Sequence, residues 1–237
     1  YGIKYPFHIS EYAHSMGNAV GNLQDYWDII EGSNYGIGGC IWDFADQSII
    51  DSKDIKNGEL KVNGLNKYRT GYDYPGPHQG NFVNNGLVAA DRAWSPELTE
   101  VKGVYQYAKF EKFDVATKEL TINNTYDFTN LNKYQLKSAV LVDGEVVEEG
   151  NVTMPSVPSD SKAKVQVPYA YDITKAAGKE VCINFELCLT QDEMWAKSGY
   201  PIAAYQSVLQ ARPATLAAVE NNGNALEMTT TSGLTII

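Results

Sequence analysis

The chain has 237 residues, 43% of them hydrophobic and 11% aromatic with 16 Tyr, which is enough for a packed core without metals or staples and excludes a disordered chain. The tyrosines and β-branched runs lean towards β-rich architecture or a carbohydrate-facing surface. Nineteen Lys and Arg against 29 Asp and Glu leave a formal charge of −10; no basic cluster breaks that excess, so nucleic acid and membrane are excluded as expected partners and a neutral ligand fits better.

The chain opens on Tyr1, with no initiator Met and no signal-peptide pattern, and is expected to be part of something longer. Residues 3–10, "IKYPFHIS", read as a short strand. "NAVGNLQDYWDIIEGS" follows as a helix with Val20, Leu23, Trp27 and Ile30 on one face and Asn18 as N-cap. "YGIGGCIWDFADQS" is a second apolar strand, so the order is strand, helix, strand. Residues 48–92, rich in Gly, Asn, Tyr and Pro, read as a long ordered loop over a site. "SPELTEVKGVYQY" is a helix with Ser95 as N-cap, Pro96 in its first position and Leu98, Val101 and Tyr105 facing inward.

From about residue 107 the hydrophobic period becomes two. "KELTINNTYDF", "YQLKSAVLVDGEVVEEG", "KAKVQV", "EVCINFELCL" and "PIAAYQSVL" read as strands, and Asp143-Gly144 signals a hairpin. In "VCINFELCL", Val181, Ile183, Phe185, Leu187 and Leu189 face one way and Cys182, Asn184, Glu186 and Cys188 the other. As one strand the two cysteines stand about 20 Å apart at roughly 3.3 Å per residue, too far to bridge. With Cys40 they are read as free thiols, and no Cys/His spacing suits zinc. About seven strands in roughly 100 residues fit an immunoglobulin-like sandwich. "ALEMTTTSGLTII" resumes the strand pattern at the C-terminus. No apolar run approaches the roughly 18 residues of a membrane-spanning helix.

"ISEYAHSMGN", residues 9–18, crowds Glu11, His14, Met16 and Asn18 behind the first strand. Taken alone, Glu11 reads as a helix cap or surface charge, His14 as a structural histidine and Trp42 as a core tryptophan at a strand end. The strings around them change that reading. "ISEYAHSMGNAVGNLQDYWDII", "GGCIWDFADQ" and "NFVNNGLVAADRAWSPELTEVK" resemble, in order and spacing, the β-galactosidase branch of glycoside hydrolase family 2. "INNTYDFTNL" and "DEMWAKSGYPIAAYQ" are similar to the sandwich that follows the barrel in the same enzymes.

The resemblance implies an architecture and a chemistry. Residues 1–106 would be the C-terminal part of a (β/α)₈ TIM barrel, residues 107–213 an immunoglobulin-like sandwich, and residues 214–237 the beginning of a further β domain. Active-site residues of such a barrel sit at the C-terminal ends of its strands, where Glu11 falls. By resemblance Glu11 is the nucleophile of a retaining β-galactosidase, His14 binds sugar hydroxyls near C6, Trp42 walls the galactose pocket, and Asn85 contacts the C6 hydroxyl. Phe82, by its carbonyl, and Asn85, by its amide, match a monovalent cation site; oxygen donors suit a hard cation. Sodium and magnesium are thus cofactors implied for the whole enzyme, and none for this chain alone. Asp43, Asp91 and Arg92 are read as scaffold, a buried ion pair or a loop clamp. The acid/base Glu has no match here, so the isolated chain is expected to be inactive. A β-galactoside is the implied ligand, and a homo-oligomer or the upstream part of the same protein the implied partner. The other readings are a non-catalytic carbohydrate-binding or spacer fragment, and a family 2 β-glucuronidase or β-mannosidase, whose nucleophile strings differ from "EYAHSMGN".

Overall fold

The computed structural model describes residues 4–56, 59–62, 65–66, 68–213, 218–221, 226–229 and 235–236. They divide into two compact units, residues 1–106 and 107–237.

In the first unit, β1 (Phe7–Tyr12), α1 (Leu23–Glu31) and β2 (Gly36–Ile41) form a parallel crossover, with Ile9 opposite Gly39 and Tyr12 opposite Ile41. The expected strand 3–10 is displaced towards the C-terminus, so Glu11 lies inside its last turn of pleat rather than behind it; residue 3 lies outside the described residues. Ile9, Tyr12 and Ile41 all pack on the cluster formed with α1 and α2 (Pro96–Val104), whose buried members include Leu23, Val101 and Val104. Ile9 and Tyr12 are three apart yet share that side because the register shifts between them.

The start of α1 departs from expectation. Its N-cap is Asn22 in left-handed conformation (φ 60°), without a side-chain cap, and not Asn18. Ala13, Gly17 and Val20 also have positive φ, so residues 13–22 coil as a loop before the helix begins. Val20 is buried ahead of the helix, and Leu23 and Ile30 on it. Ser95 does precede α2 and Pro96 opens it, but the Ser95 hydroxyl donates to the Leu87 carbonyl at 2.5 Å instead of capping. Residues 48–92 are not structureless. They hold β3 (Ile55–Lys56), β4 (Glu59–Val62) and β5 (Leu65–Asn66), a small antiparallel meander; residues 57, 58, 63, 64 and 67 of that loop lie outside the described ones.

The Tyr12 hydroxyl is the hub of this unit. It accepts from Trp27 Nε1 at 2.8 Å and shares a 2.7 Å bond with the Tyr105 hydroxyl. Burial, then the Tyr12 bond, push the Tyr105 phenol above its ordinary range. Tyr12→Phe leaves Trp27 Nε1 without its acceptor, so we expect a loss of about 1–3 kcal/mol, read as a lower urea midpoint for this unit.

The second unit holds two facing antiparallel sheets. One is ordered β10 (Ser161–Gln166), β7 (Glu119–Asn124), β6 (Ala108–Asp114); the other is β12 (Pro201–Gln210), β11 (Val181–Leu189), β8 (Tyr134–Val142), β9 (Glu145–Thr153). Leu120, Ile122 and Val165 from the first share one core with Leu136, Val140, Ile183, Phe185 and Leu187 from the second. The inward face of β11 is as the alternation predicts, but Cys182 and Cys188 on its other face are buried too, as free thiols. Asp143 (φ 50°) and Gly144 (φ 88°) make the two-residue turn between β8 and β9, both in the region that favours glycine. Gly144→Ala should therefore cost about 1 kcal/mol, seen as a fall in melting temperature with the sheets intact. Residues 218–221, 226–229 and 235–236 pair as a three-stranded antiparallel sheet, β13–β15; the rest of 214–237 lies outside the described residues. Among the described residues no helix is long and apolar enough to cross a membrane.

Candidate active site

Side chains alternate across a strand. With Tyr12 and Ile41 turned to the helical layer, their neighbours Glu11 and Trp42 present the opposite face of the β1–β2 pair. The backbone knits the two strand ends: the Trp42 N–H donates to the Tyr12 carbonyl at 3.0 Å, and the Ser15 N–H to the Trp42 carbonyl at 2.8 Å. The Trp42–Asp43 peptide bond is cis.

Three of the expected residues meet around His14: Glu11 and Trp42 from that face and Phe82 from the long loop. His14 Nε2 lies 2.6 Å from Glu11 Oε1. An ionised carboxylate can only accept, so in that state Nε2 carries the proton and the ring holds the carboxylate in one orientation. The His14 ring stacks on Trp42 at 6.3 Å between centroids and tilts against Phe82 at 5.8 Å. Glu11 and His14 keep 49% and 36% of their side-chain surface, so the pair is open to a ligand.

Asn85 enters from the long loop. Its Nδ2 donates to the Phe82 carbonyl at 3.0 Å, and its own carbonyl accepts from the Asp43 N–H at 2.5 Å. The side chain is 2% exposed, and its Oδ1 is a buried oxygen with no partner. A buried acceptor left unpaired costs free energy, and a hydroxyl or a hard cation would satisfy it. The Phe82 carbonyl already accepts one bond and has a second lone pair. The oxygens of Phe82 and Asn85 therefore fit a monovalent cation in donor chemistry.

The loop is held to the strand by contacts that the pattern of residues did not disclose. Leu87 N–H donates to the Asp43 carbonyl, Val88 N–H to Phe44 and Asp46 N–H to Val88. Gly86 N–H donates to Asp46 Oδ1 at 2.8 Å. Burial pushes the Asp46 carboxyl above its ordinary range, against the Gly86 bond, and the charge of Glu97 adds to the rise. A Cβ on Gly86 would lie 2.0 Å from Asp46 N and 2.2 Å from the Ala45 carbonyl carbon. Gly86→Ala should push Asn85 away from Trp42 and cost roughly 1–3 kcal/mol or more, measured as a lower unfolding midpoint with altered tryptophan fluorescence.

The scaffold residues form a loop clamp and not a buried ion pair. Asp43 accepts from its neighbour Phe44 N–H and from Gln47 Nε2 at 2.9 Å. Asp91 and Arg92 are exposed; Asp91 accepts from Ala93 N–H, and Arg92 donates to the Ala90 carbonyl. The Tyr12–Trp27–Tyr105 network under the face was also missed. Its signal was present: Trp27 and Tyr105 faced inward by period, and a buried indole or phenol needs a polar partner.

Residues 2–110 match the model of the glycosyl hydrolases family 2 TIM barrel domain, and residues 120–210 that of β-galactosidase domain 4. The chain belongs to glycoside hydrolase family 2, in the β-galactosidase branch. A β-galactosidase of Priestia megaterium is 34% identical over 89% of this chain and 20% of its own length. One of Clostridium acetobutylicum is 33% identical over 88% and 22%, and one of Lactobacillus delbrueckii subsp. bulgaricus 32% over 88% and 19%. The chain thus spans about a fifth of the curated relatives it matches. A solved Bacteroides uniformis β-glucuronidase 2, covalently bound to cyclophellitol-6-carboxylate aziridine, overlaps 97% of this chain and 26% of its own at 15% identity with a TM-score of 0.23, a likeness too low to carry an argument. Within the family, then, the first unit is a piece of the TIM-barrel domain and the second a β-rich domain.

Proposed function

We propose that this chain is the nucleophile-bearing part of a retaining β-galactosidase, in which Glu11 forms a covalent glycosyl-enzyme with terminal β-D-galactosides. One observation carries the reading: Glu11, His14 and Trp42 converge on a single face, with Glu11 and His14 2.6 Å apart. A carboxylate held by an imidazole beside an open aromatic ring offers both a nucleophile and a surface for the apolar C–H patch of a pyranose.

In this reading Glu11 attacks the anomeric carbon and the glycosidic oxygen leaves with a proton from a second carboxyl group, which such enzymes hold about 5 to 5.5 Å from the nucleophile. Water then releases the sugar as that second group takes the proton back. The second carboxyl group belongs to the upstream part of the protein, so the 237 residues alone should not turn a galactoside over. His14 orients Glu11 and reaches the hydroxyls near C6. Trp42 supplies the ring wall. Asn85 Oδ1 meets the C6 hydroxyl or, with the Phe82 carbonyl, would hold a sodium ion that fixes the sugar. Magnesium, which the family resemblance implies for the whole enzyme, is assigned to the upstream part.

The exposed apolar surface of the first unit supports an upstream partner. β1 and β2 pair only with each other among the described strands, and Phe7, Ile37 and Phe44 are 54%, 63% and 63% exposed. Unpaired strand edges of this kind demand a cover, which the remaining barrel strands would provide. The second unit, two antiparallel sheets of three and four strands over one core, is read as immunoglobulin-like.

Mixing the chain with the upstream polypeptide and assaying nitrophenyl β-galactoside, β-glucuronide and β-mannoside tests the specificity. Hydrolysis confined to, or strongly favouring, the galactoside is expected. A preference for either of the other two overturns the assignment.

A further inference from the structure

The Gly86 peptide, next to Asn85, is gripped from both sides. Its N–H donates to Asp46 Oδ1 at 2.8 Å, and its carbonyl accepts from the Ser15 hydroxyl at 3.3 Å. Ser15 is only 4% exposed, so this tie lies inside the first unit, and further barrel strands can only deepen its burial. Ser15 also directly follows His14, and its N–H donates to the Trp42 carbonyl at 2.8 Å. One buried residue therefore touches all three segments that carry the site.

Those segments are joined around a triangle. The end of β1 meets the end of β2 where the Trp42 N–H donates to the Tyr12 carbonyl, and β2 meets the 82–88 return where the Asp43 N–H donates to the Asn85 carbonyl. The Ser15 hydroxyl closes the third side, from the residue after His14 to the residue after Asn85. The ring contact of His14 with Phe82, 5.8 Å between centroids, runs beside it but is not directional. Without the hydroxyl, two backbone joints in series set the place of Asn85 relative to His14. We propose that Ser15 is a positioning residue for sugar recognition, whose buried hydroxyl holds Asn85 Oδ1 where it reads the C6 hydroxyl of a galactoside, directly or through a cation beside it. This rests on the reading of Asn85 given above and adds that the preference for that hydroxyl depends on a side chain behind the site. A misplaced binding group weakens recognition even when every reacting group is intact.

The test compares wild-type and Ser15→Ala chains, each mixed with the upstream polypeptide, on nitrophenyl β-D-galactoside and on its 6-deoxy analogue, nitrophenyl β-D-fucoside. Ser15→Ala should raise KM for the galactoside about tenfold with kcat nearly kept, and leave the fucoside within about twofold of wild type. The fucoside lacks the group that Asn85 reads. Hydrogen exchange, followed by peptide mass on the same mixtures, gives a second measure: residues 82–88 should exchange about tenfold faster in Ser15→Ala, while β2 keeps its protection. An unchanged KM for the galactoside, equal losses on both sugars, or unchanged exchange at 82–88 would overturn the role of Ser15 and leave Glu11 as nucleophile standing. A mixture in which Glu11→Gln hydrolyses galactosides as fast as wild type would overturn the nucleophile instead. Hydrogen exchange decides for or against the hold of Ser15 on the return even in a mixture without turnover.

Discussion

Glu11→Gln is expected to lower galactoside turnover of the mixed, active protein by roughly 10⁴-fold or more, the scale of losing a covalent nucleophile, while leaving the fold and sugar binding in place. The amide keeps the size of the side chain and can still bond His14, so the strand end and the 2.6 Å contact position are retained. What vanishes is the charged oxygen that attacks the anomeric carbon. Titration of both proteins with a galactoside, followed by tryptophan fluorescence and by turnover, separates the two effects. A kcat loss at nearly constant affinity fits a nucleophile. An equal loss of binding, with kcat spared, would assign Glu11 to ligand recognition alone and favour the non-catalytic reading.

The largest stability effect is expected at the other end of the chain. Phe185 is fully buried at the centre of β11, 5.1 Å from the Phe113 ring and stacked 6.1 Å from Tyr205. It touches both sheets of the second unit. Phe185→Ala removes that ring and leaves a cavity that neighbouring strands close only in part, a loss of about 3–5 kcal/mol. Against a typical domain stability of roughly 5–15 kcal/mol, that brings the second unit close to unfolding. Urea melts followed by near-ultraviolet dichroism measure it. A shift below about 1 kcal/mol would mean that the two sheets do not share the core described above.

Local pattern carried some of this molecule and not the rest. The period-two run of β11, the Asp143-Gly144 turn and the Ser95-Pro96 helix start are local signals, and the strands and helix stand where those signals put them. The N-cap of α1 was misplaced because Ala13, Val20 and Asn22 adopt positive φ, a choice that no residue type there demands. β6 went unnoticed because "AKFEKFD" mixes lysines into its alternation and is half exposed. The loop after β2 was legible as ordered but not as a meander, since its strands are two to four residues long. At the candidate site the motif strings pointed to Glu11, His14, Trp42, Phe82 and Asn85, but their approach to one another depends on pairing between the ends of β1 and β2 and on the return of residues 82–88. Such contacts are set by tertiary structure. Gly86 and Asp46, which fasten that return, have no local signature at all.

Attack of Glu11 on an anomeric carbon can be trapped directly. A 2-fluoro-galactoside with a good leaving group forms the glycosyl-enzyme readily and releases it slowly, so the intermediate accumulates for intact-mass analysis and peptide mapping. Applied to the chain mixed with its upstream partner, it should add one fluorogalactosyl unit, located on Glu11 within residues 9–18. An adduct on any other carboxylate, in a mixture that hydrolyses galactosides, would contradict it.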